Sequence, residues 1–184
     1  MSISRQNLSI VIVTLKSEEV INKCINSIDK EIPIFVVENS SNLRFKQNLE
    51  ENYHNVTCVI TNENLGMGRG NNFGISLVKT EYVLILNPDV ILEPNTIDEL
   101  ILASKTYSNF SILSPISDNS LYPNYKLEKK NKSEKNENLP FLVKSVDGYA
   151  MLFNLNKINM ISRNETNDKK NDYFDENFFM YLEN

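Results

Sequence analysis

The chain has 184 residues, 24 acidic against 19 basic side chains for a net charge of −5, and 41% hydrophobic residues. That length and apolar content suit one domain with its own core, and the acidic balance argues against a protein that grips nucleic acid through a lysine and arginine surface. An anionic ligand needs local help here, from a cation, a helix N-terminus or both.

The two cysteines, Cys24 and Cys58, are too few for a disulfide framework and lack metal-ligand spacing, so they read as small core residues in a reducing compartment. The apolar run from Leu8 to Leu15 is far below a membrane span and no small-residue cleavage site accompanies it. Both features point to the cytosol.

In chain order, Leu8 to Thr14 is a β-branched run of strand length. Ser17 is placed to cap a helix through Ile28, with Val20, Ile21, Cys24, Ile25 and Ile28 on one face. Ile32 to Val37 predicts a second strand, Asn42 to Tyr53 a polar helix, Val56 to Thr61 a third strand and Met67 to Lys79 a third helix. A fourth strand, Tyr82 to Leu86, precedes a helical pattern over Pro94 to Tyr107 carried by Ile97, Leu100, Ile101 and Ala103. Apolar strands alternating with helices predict an α/β fold with a mostly parallel sheet covered on both faces.

After Phe110 to Leu113 the pattern weakens. Residues 125–138 and 163–172 are Lys, Glu and Asn-rich and read as flexible segments. Between them Leu142 to Leu155 is apolar and strand-like around a break at Asp147-Gly148, and the chain closes on an aromatic-rich block from Tyr173 to Asn184. The expected organisation is a single domain over 1–184, with a nucleotide-fold front at 1–114 and a looser part at 115–184.

Open parallel sheets bind ligands beyond the carboxyl ends of their strands. Those ends are polar here: Thr14, then Glu38-Asn39-Ser40-Ser41, then Asn62-Glu63-Asn64-Leu65-Gly66, then Asn87-Pro88-Asp89. Asn, Ser and Asp also serve as turn and cap residues, so each end has a plain structural reading as well. Asp89 stands out because Pro88 fixes the backbone before it, and a carboxylate there suits Mg²⁺ or Mn²⁺ shared with a substrate diphosphate. Gly66-Met-Gly-Arg-Gly70-Asn-Asn-Phe-Gly74 follows a strand and opens a helix, where backbone amides can approach an anion. A nicotinamide-dinucleotide fingerprint needs glycine at its sixth position, which is Asn71 here, so that reading is a disfavoured alternative. Gly74 suits close packing of the helix on the sheet.

Five blocks together resemble the family 2 glycosyltransferases, especially their rhamnosyltransferase-like bacterial branch: Ser9-Ile-Val-Ile-Val-Thr-Leu-Lys16, Val36-Val-Glu-Asn-Ser-Ser41, Asn64 to Ile75, Leu84-Ile-Leu-Asn-Pro-Asp-Val90 and Phe174 to Glu183. They stand in the family's order and spacing. The resemblance implies the GT-A fold, a UDP- or dTDP-sugar donor, Mg²⁺ or Mn²⁺, and inverting transfer to a saccharide or lipid-linked acceptor in bacterial surface polysaccharide synthesis. It also implies a cytosolic site of action and leaves peripheral membrane attachment open.

Carried over position by position, the resemblance implies that Thr14 and Glu38 contact the nucleotide base and ribose, and that Asn64, Gly68 and Asn71 shape the donor pocket. Asn87-Pro88-Asp89 matches the branch's metal motif, with Asp89 as metal ligand and Asn87 as its neutral neighbour. Gly148 falls at the acceptor-side strand break, and Glu183 becomes the general base. The family's terminal Glu-Asp pair reads Glu183-Asn184 here, and the sequence stops at that point where family members continue. That ending raises the expectation of a truncated chain and a second reading, a catalytically inactive nucleotide-sugar-binding remnant. His54 reads as a solvated residue and the alternating Lys/Glu stretch Lys126 to Lys135 as a solvated loop.

Overall fold

The computed structural model describes residues 3–117, 121, 123–127, 140–165 and 173–176. A 3₁₀ turn at Arg5–Asn7 leads into β1 (Leu8–Thr14), α1 (Ile21–Asn26), β2 (Ile34–Glu38), α2 (Leu43–Asn52), β3 (Val56–Ile60), α3 (Gly66–Leu77), β4 (Tyr82–Leu86) and α4 (Thr96–Thr106). Short strands β5 (Ile112–Leu113), β6 (Tyr125–Lys126) and β7 (Ser145–Val146) follow, then β8 (Ala150–Asn154) and α5 (Leu155–Glu165).

The main sheet has the order β3-β2-β1-β4-β8-β5. Strands β1 to β4 run parallel, whereas β8 lies antiparallel between β4 and β5. All residues of β1, β4 and β8 are buried, as expected for strands covered on both faces. One face carries Ile10, Ile12, Val36 and Leu84 against Ile21, Phe45, Leu49 and Leu100 of α1, α2 and α4. The other carries Val11, Val83, Ile85, Met151 and Phe153 against Ile75 of α3 and Leu155 of α5.

Gly70 and Gly74 explain how α3 sits so close to the strands. A Cβ on Gly74 would lie 2.4 Å from Val11 Cγ1, and one on Gly70 would lie 2.9 Å from Val13 Cγ1. The close-packing role expected of Gly74 is therefore present. Cys24 and Cys58 are both buried free thiols, as expected.

Four expectations need correction. Helix α1 begins at Ile21 with Val20 at its N-cap, and Ser17 instead donates its hydroxyl to the Leu15 carbonyl while Val20 stays 38% exposed. Tyr125–Lys126, inside the segment expected to be flexible, forms β6 and pairs with β7 across Tyr125↔Val146 and Lys126↔Ser145. Leu155 opens a helix rather than closing a strand, because the Asn154 side chain accepts the Lys157 amide at 3.1 Å and caps α5. Arg163 to Glu165 consequently belong to the last turn of α5. Residues 128–138, 166–172 and the block after Glu176, with Glu183, lie outside the described residues.

Candidate functional site

Parallel pairing aligns Thr14 with Glu38 and Glu38 with Ile60, so the strand ends form one polar edge. Each of the first three strands is followed by a residue in the left-handed region: Lys16 at φ 53°, Ser41 at φ 60° and Gly66 at φ 73°. For Lys16 and Ser41 that conformation costs on the order of 1 kcal/mol or more and persists only where neighbours hold it. Ser41 is held by its hydroxyl, which donates to the Thr61 carbonyl at 2.6 Å.

Glu38, only 1% exposed, organises this loop. Its Oε1 accepts the Ser40 amide at 2.9 Å and the Ser40 hydroxyl, and its Oε2 accepts the Asn42 amide at 2.7 Å. Asn42 in turn caps α2 by accepting the Phe45 amide at 3.0 Å. Thr14 is equally buried and its hydroxyl donates to the Val37 carbonyl at 3.3 Å. Among the described residues the Glu38 carboxylate has no cationic partner and is served instead by amide and hydroxyl donors.

Asn39 links this loop to α3, a role that the polar pattern alone did not reveal. Its Nδ2 donates to the Gly66 carbonyl at 3.2 Å, and its Oδ1 lies 3.0 Å from the Thr61 hydroxyl. Asn64 accepts the Gly66 amide at 3.0 Å, closing the turn that launches α3. Gly68 and Asn71 are buried in the first turns of that helix. The Asn71 Oδ1 is buried and has no hydrogen-bond partner among the described residues.

A second buried oxygen with no partner among the described residues, Asn87 Oδ1, lies just past β4. Buried polar atoms are nearly always paired, so two such acceptors at one sheet edge mark places where an external donor belongs. The Asn87 amide donates to the Tyr149 carbonyl at 2.9 Å, which continues the β4–β8 pairing past Leu86↔Ala150 and sets Asp147-Gly148 beside Asn87-Pro88-Asp89. Gly148 is half-buried there, while Asp89 and Asp147 are exposed.

Helix α1 fastens the Asp89 turn from behind. Cys24 Sγ donates to the Asn87 carbonyl at 3.6 Å, and Ser27 Oγ accepts the Leu92 amide at 3.0 Å. Burial, reinforced by the Asp89 charge, pushes the Cys24 thiol up to about 12, so it stays protonated as a donor. No group of three or more His, Cys, Asp or Glu gathers for a metal among the described residues. One carboxylate beside a neutral amide oxygen is nonetheless a fitting set for Mg²⁺ or Mn²⁺, which take hard oxygen ligands and commonly complete their shell with substrate phosphate and water.

The sequence pattern of the family described as "Glycosyl transferase family 2" matches residues 9–166. The chain belongs to this family. Its relatives include the low-salt glycan biosynthesis hexosyltransferase Agl10 of Haloferax volcanii, 34% identical over 113 residues that make up 59% of this chain and 36% of Agl10. Among solved structures, S. aureus TarS 1-349 in complex with UDP aligns with a TM-score of 0.66 and 18% identity over 96% of this chain and 52% of TarS 1-349. The mannosyltransferase PcManGT from Pyrobaculum calidifontis, in complex with GDP-Man and Mn²⁺, aligns with a TM-score of 0.60 and 14% identity over 90% of this chain and 49% of that one. The fold is thus GT-A. This family 2 chain spans 36% to 52% of the length of these three proteins. No helix among its described residues is long and apolar enough to cross a membrane.

Proposed function

We propose that this chain binds a nucleotide-diphosphate sugar along the polar edge of its sheet and acts as an inverting glycosyltransferase. The observation that carries the reading is the pair of buried amide oxygens on Asn71 and Asn87 that have no hydrogen-bond partner among the described residues. Both can only accept, so they suit sugar hydroxyls or metal-bound water rather than phosphate oxygens. Support also comes from the ligands of the similar folds, UDP on TarS and GDP-Man with Mn²⁺ on PcManGT.

In this reading Thr14 and Glu38 border the base and ribose, and Asn64, Gly68 and Asn71 surround the diphosphate and sugar at the start of α3, whose N-terminal amides favour negative charge. Asp89, with Asn87 beside it, holds the divalent cation. Bound there, Mg²⁺ or Mn²⁺ supplies charge neutralisation for the departing diphosphate. Gly148 borders the acceptor, whose hydroxyl oxygen bonds to the anomeric carbon while its proton passes to the Glu183 carboxylate. The carbon–oxygen bond to the diphosphate breaks with its electron pair leaving on the nucleotide.

The finer assignments stand on the sequence blocks: the rhamnosyltransferase-like branch, a UDP or dTDP donor, a saccharide or lipid-linked acceptor and surface polysaccharide assembly at the inner face of the membrane. A thermal-shift screen of UDP-, dTDP- and GDP-sugars with Mn²⁺ tests the donor, since a ligand that binds only the folded state raises its melting temperature. The expected result is a shift with one nucleotide class and none with NAD. Release of free nucleotide from that donor then separates a turning-over enzyme from a binding-only chain.

A further inference from the structure

The Asn72 side chain of α3 hydrogen-bonds to the described part of the C-terminal block, residues 173–176. Its Oδ1 accepts the amides of both Tyr173 and Phe174 at 3.0 Å, and its Nδ2 donates to the Phe174 carbonyl at 2.9 Å and to Glu176 Oε1 at 3.2 Å. One amide thus makes four hydrogen bonds to a segment about a hundred positions away, satisfying two backbone donors and one backbone acceptor that no strand or helix serves. The segment is fixed from two other directions as well. The Phe174 ring stacks on Phe153 of β8 with centroids 5.5 Å apart, and the Tyr173 hydroxyl donates to Asn159 of α5 at 2.9 Å.

We propose that Asn72 is a positioning residue that registers the C-terminal segment to the donor-binding helix. The inference rests on the glycosyltransferase reading, because what it aligns are the two sides of that site. Asn71, whose orphaned oxygen marks the donor side, is its immediate neighbour in α3. Glu183, the proton acceptor of the proposed reaction, follows Glu176 by seven residues in the same segment. Ring packing of Phe174 can hold the segment on the sheet but leaves it free to slide and rotate. The paired donors and acceptors of a planar amide fix direction as well as distance. Displacements of about 1 Å at a reacting group are enough to slow chemistry severely.

The test is Asn72→Ala and Asn72→Asp in the full chain, read by amide exchange, nucleotide affinity and turnover. Asn72→Ala should accelerate exchange at the Tyr173 and Phe174 amides about tenfold or more, the scale of losing a partly buried hydrogen bond, while β1 and β4 stay protected. Its affinity for the nucleotide with Mn²⁺ should stay within about twofold and donor KM likewise, with kcat falling by at least about tenfold. Asn72→Asp keeps the accepting oxygen, so both amides should retain most of their protection, and kcat should be lost only in part. Unchanged exchange at the two amides in Asn72→Ala overturns the proposal, as does a fall in nucleotide affinity or a rise in KM that matches the fall in kcat. Absence of nucleotide binding by the unaltered chain is a different failure: it removes the glycosyltransferase reading, while amide exchange still reports on the tether.

Discussion

The Cys24 thiol donates to the backbone carbonyl of Asn87, 63 positions further along the chain, and so ties the last turn of α1 to the turn that carries Asp89. Ser27, one turn later, donates to the Cys24 carbonyl at 2.6 Å and accepts the Leu92 amide. The Asp89 loop is therefore gripped near both ends by one short helix. Cys24→Ala removes a buried sulfur and one of these bonds and should cost about 1–2 kcal/mol in urea unfolding. The same variant should weaken the Mn²⁺-dependent part of nucleotide binding more than the Mn²⁺-independent part.

Both thiols should be silent towards an aromatic disulfide reagent in the folded protein at pH 8. Burial pushes Cys58 up to about 12, opposed by Lys46 and assisted by Glu50, and pushes Cys24 to about the same value. The folded pKa lies above the ordinary thiol value of about 8.5. Stability from the protonated thiols is thus complete below about pH 8.5 and declines as pH rises towards about 12, because the unfolded chain then binds fewer protons. Urea titrations at pH 8 and pH 10 should show a loss that is smaller in Cys58→Ala.

Gly74→Ala should destabilise, although alanine is the better helix former by about 1 kcal/mol. The new methyl would meet Val11 Cγ1 at 2.4 Å and Val37 Cγ2 at 3.1 Å, and β-branched valines in central strands have little rotamer freedom to retreat. Overpacking of this kind costs about 1–3 kcal/mol. Gly70→Ala, with its nearest contact at 2.9 Å, should cost less. Chemical denaturation of both variants checks the order.

Glu38→Gln should loosen the rim without disturbing the core. The carboxylate serves the Ser40 and Asn42 amides with different oxygens, and an amide can supply only one of them as an acceptor. A loss of about 1–2 kcal/mol is expected. Exchange at the Asn42 and Phe45 amides should rise, since Asn42 is also the α2 cap.

Strands β1 to β4 were legible because β-branched runs bounded by polar turn residues leave few alternatives. The pair Tyr125–Lys126 gave no signal: two residues are too short for periodicity, and lysine and asparagine neighbours mask them. Helix α5 carried a usable sign in Asn154, a capping side chain three residues before Lys157, hidden by the apolar run in front of it. The polar strand ends at Thr14, Glu38 and Asn87 were visible as a set. Which of two adjacent asparagines would keep an orphaned oxygen and which would hold a distant segment was not, because Asn71 and Asn72 differ only in the direction that α3 gives them.

The central claim is that Asp89 holds a cation that in turn holds a sugar nucleotide. Calorimetric titration of the chain with UDP, with and without Mn²⁺, in parallel with Asp89→Ala, tests it most directly. Mn²⁺-dependent binding by the unaltered protein that disappears in Asp89→Ala, with the melting temperature of the free variant unchanged, is the predicted result. Binding that ignores Mn²⁺, or that survives the substitution at full strength, would contradict the account.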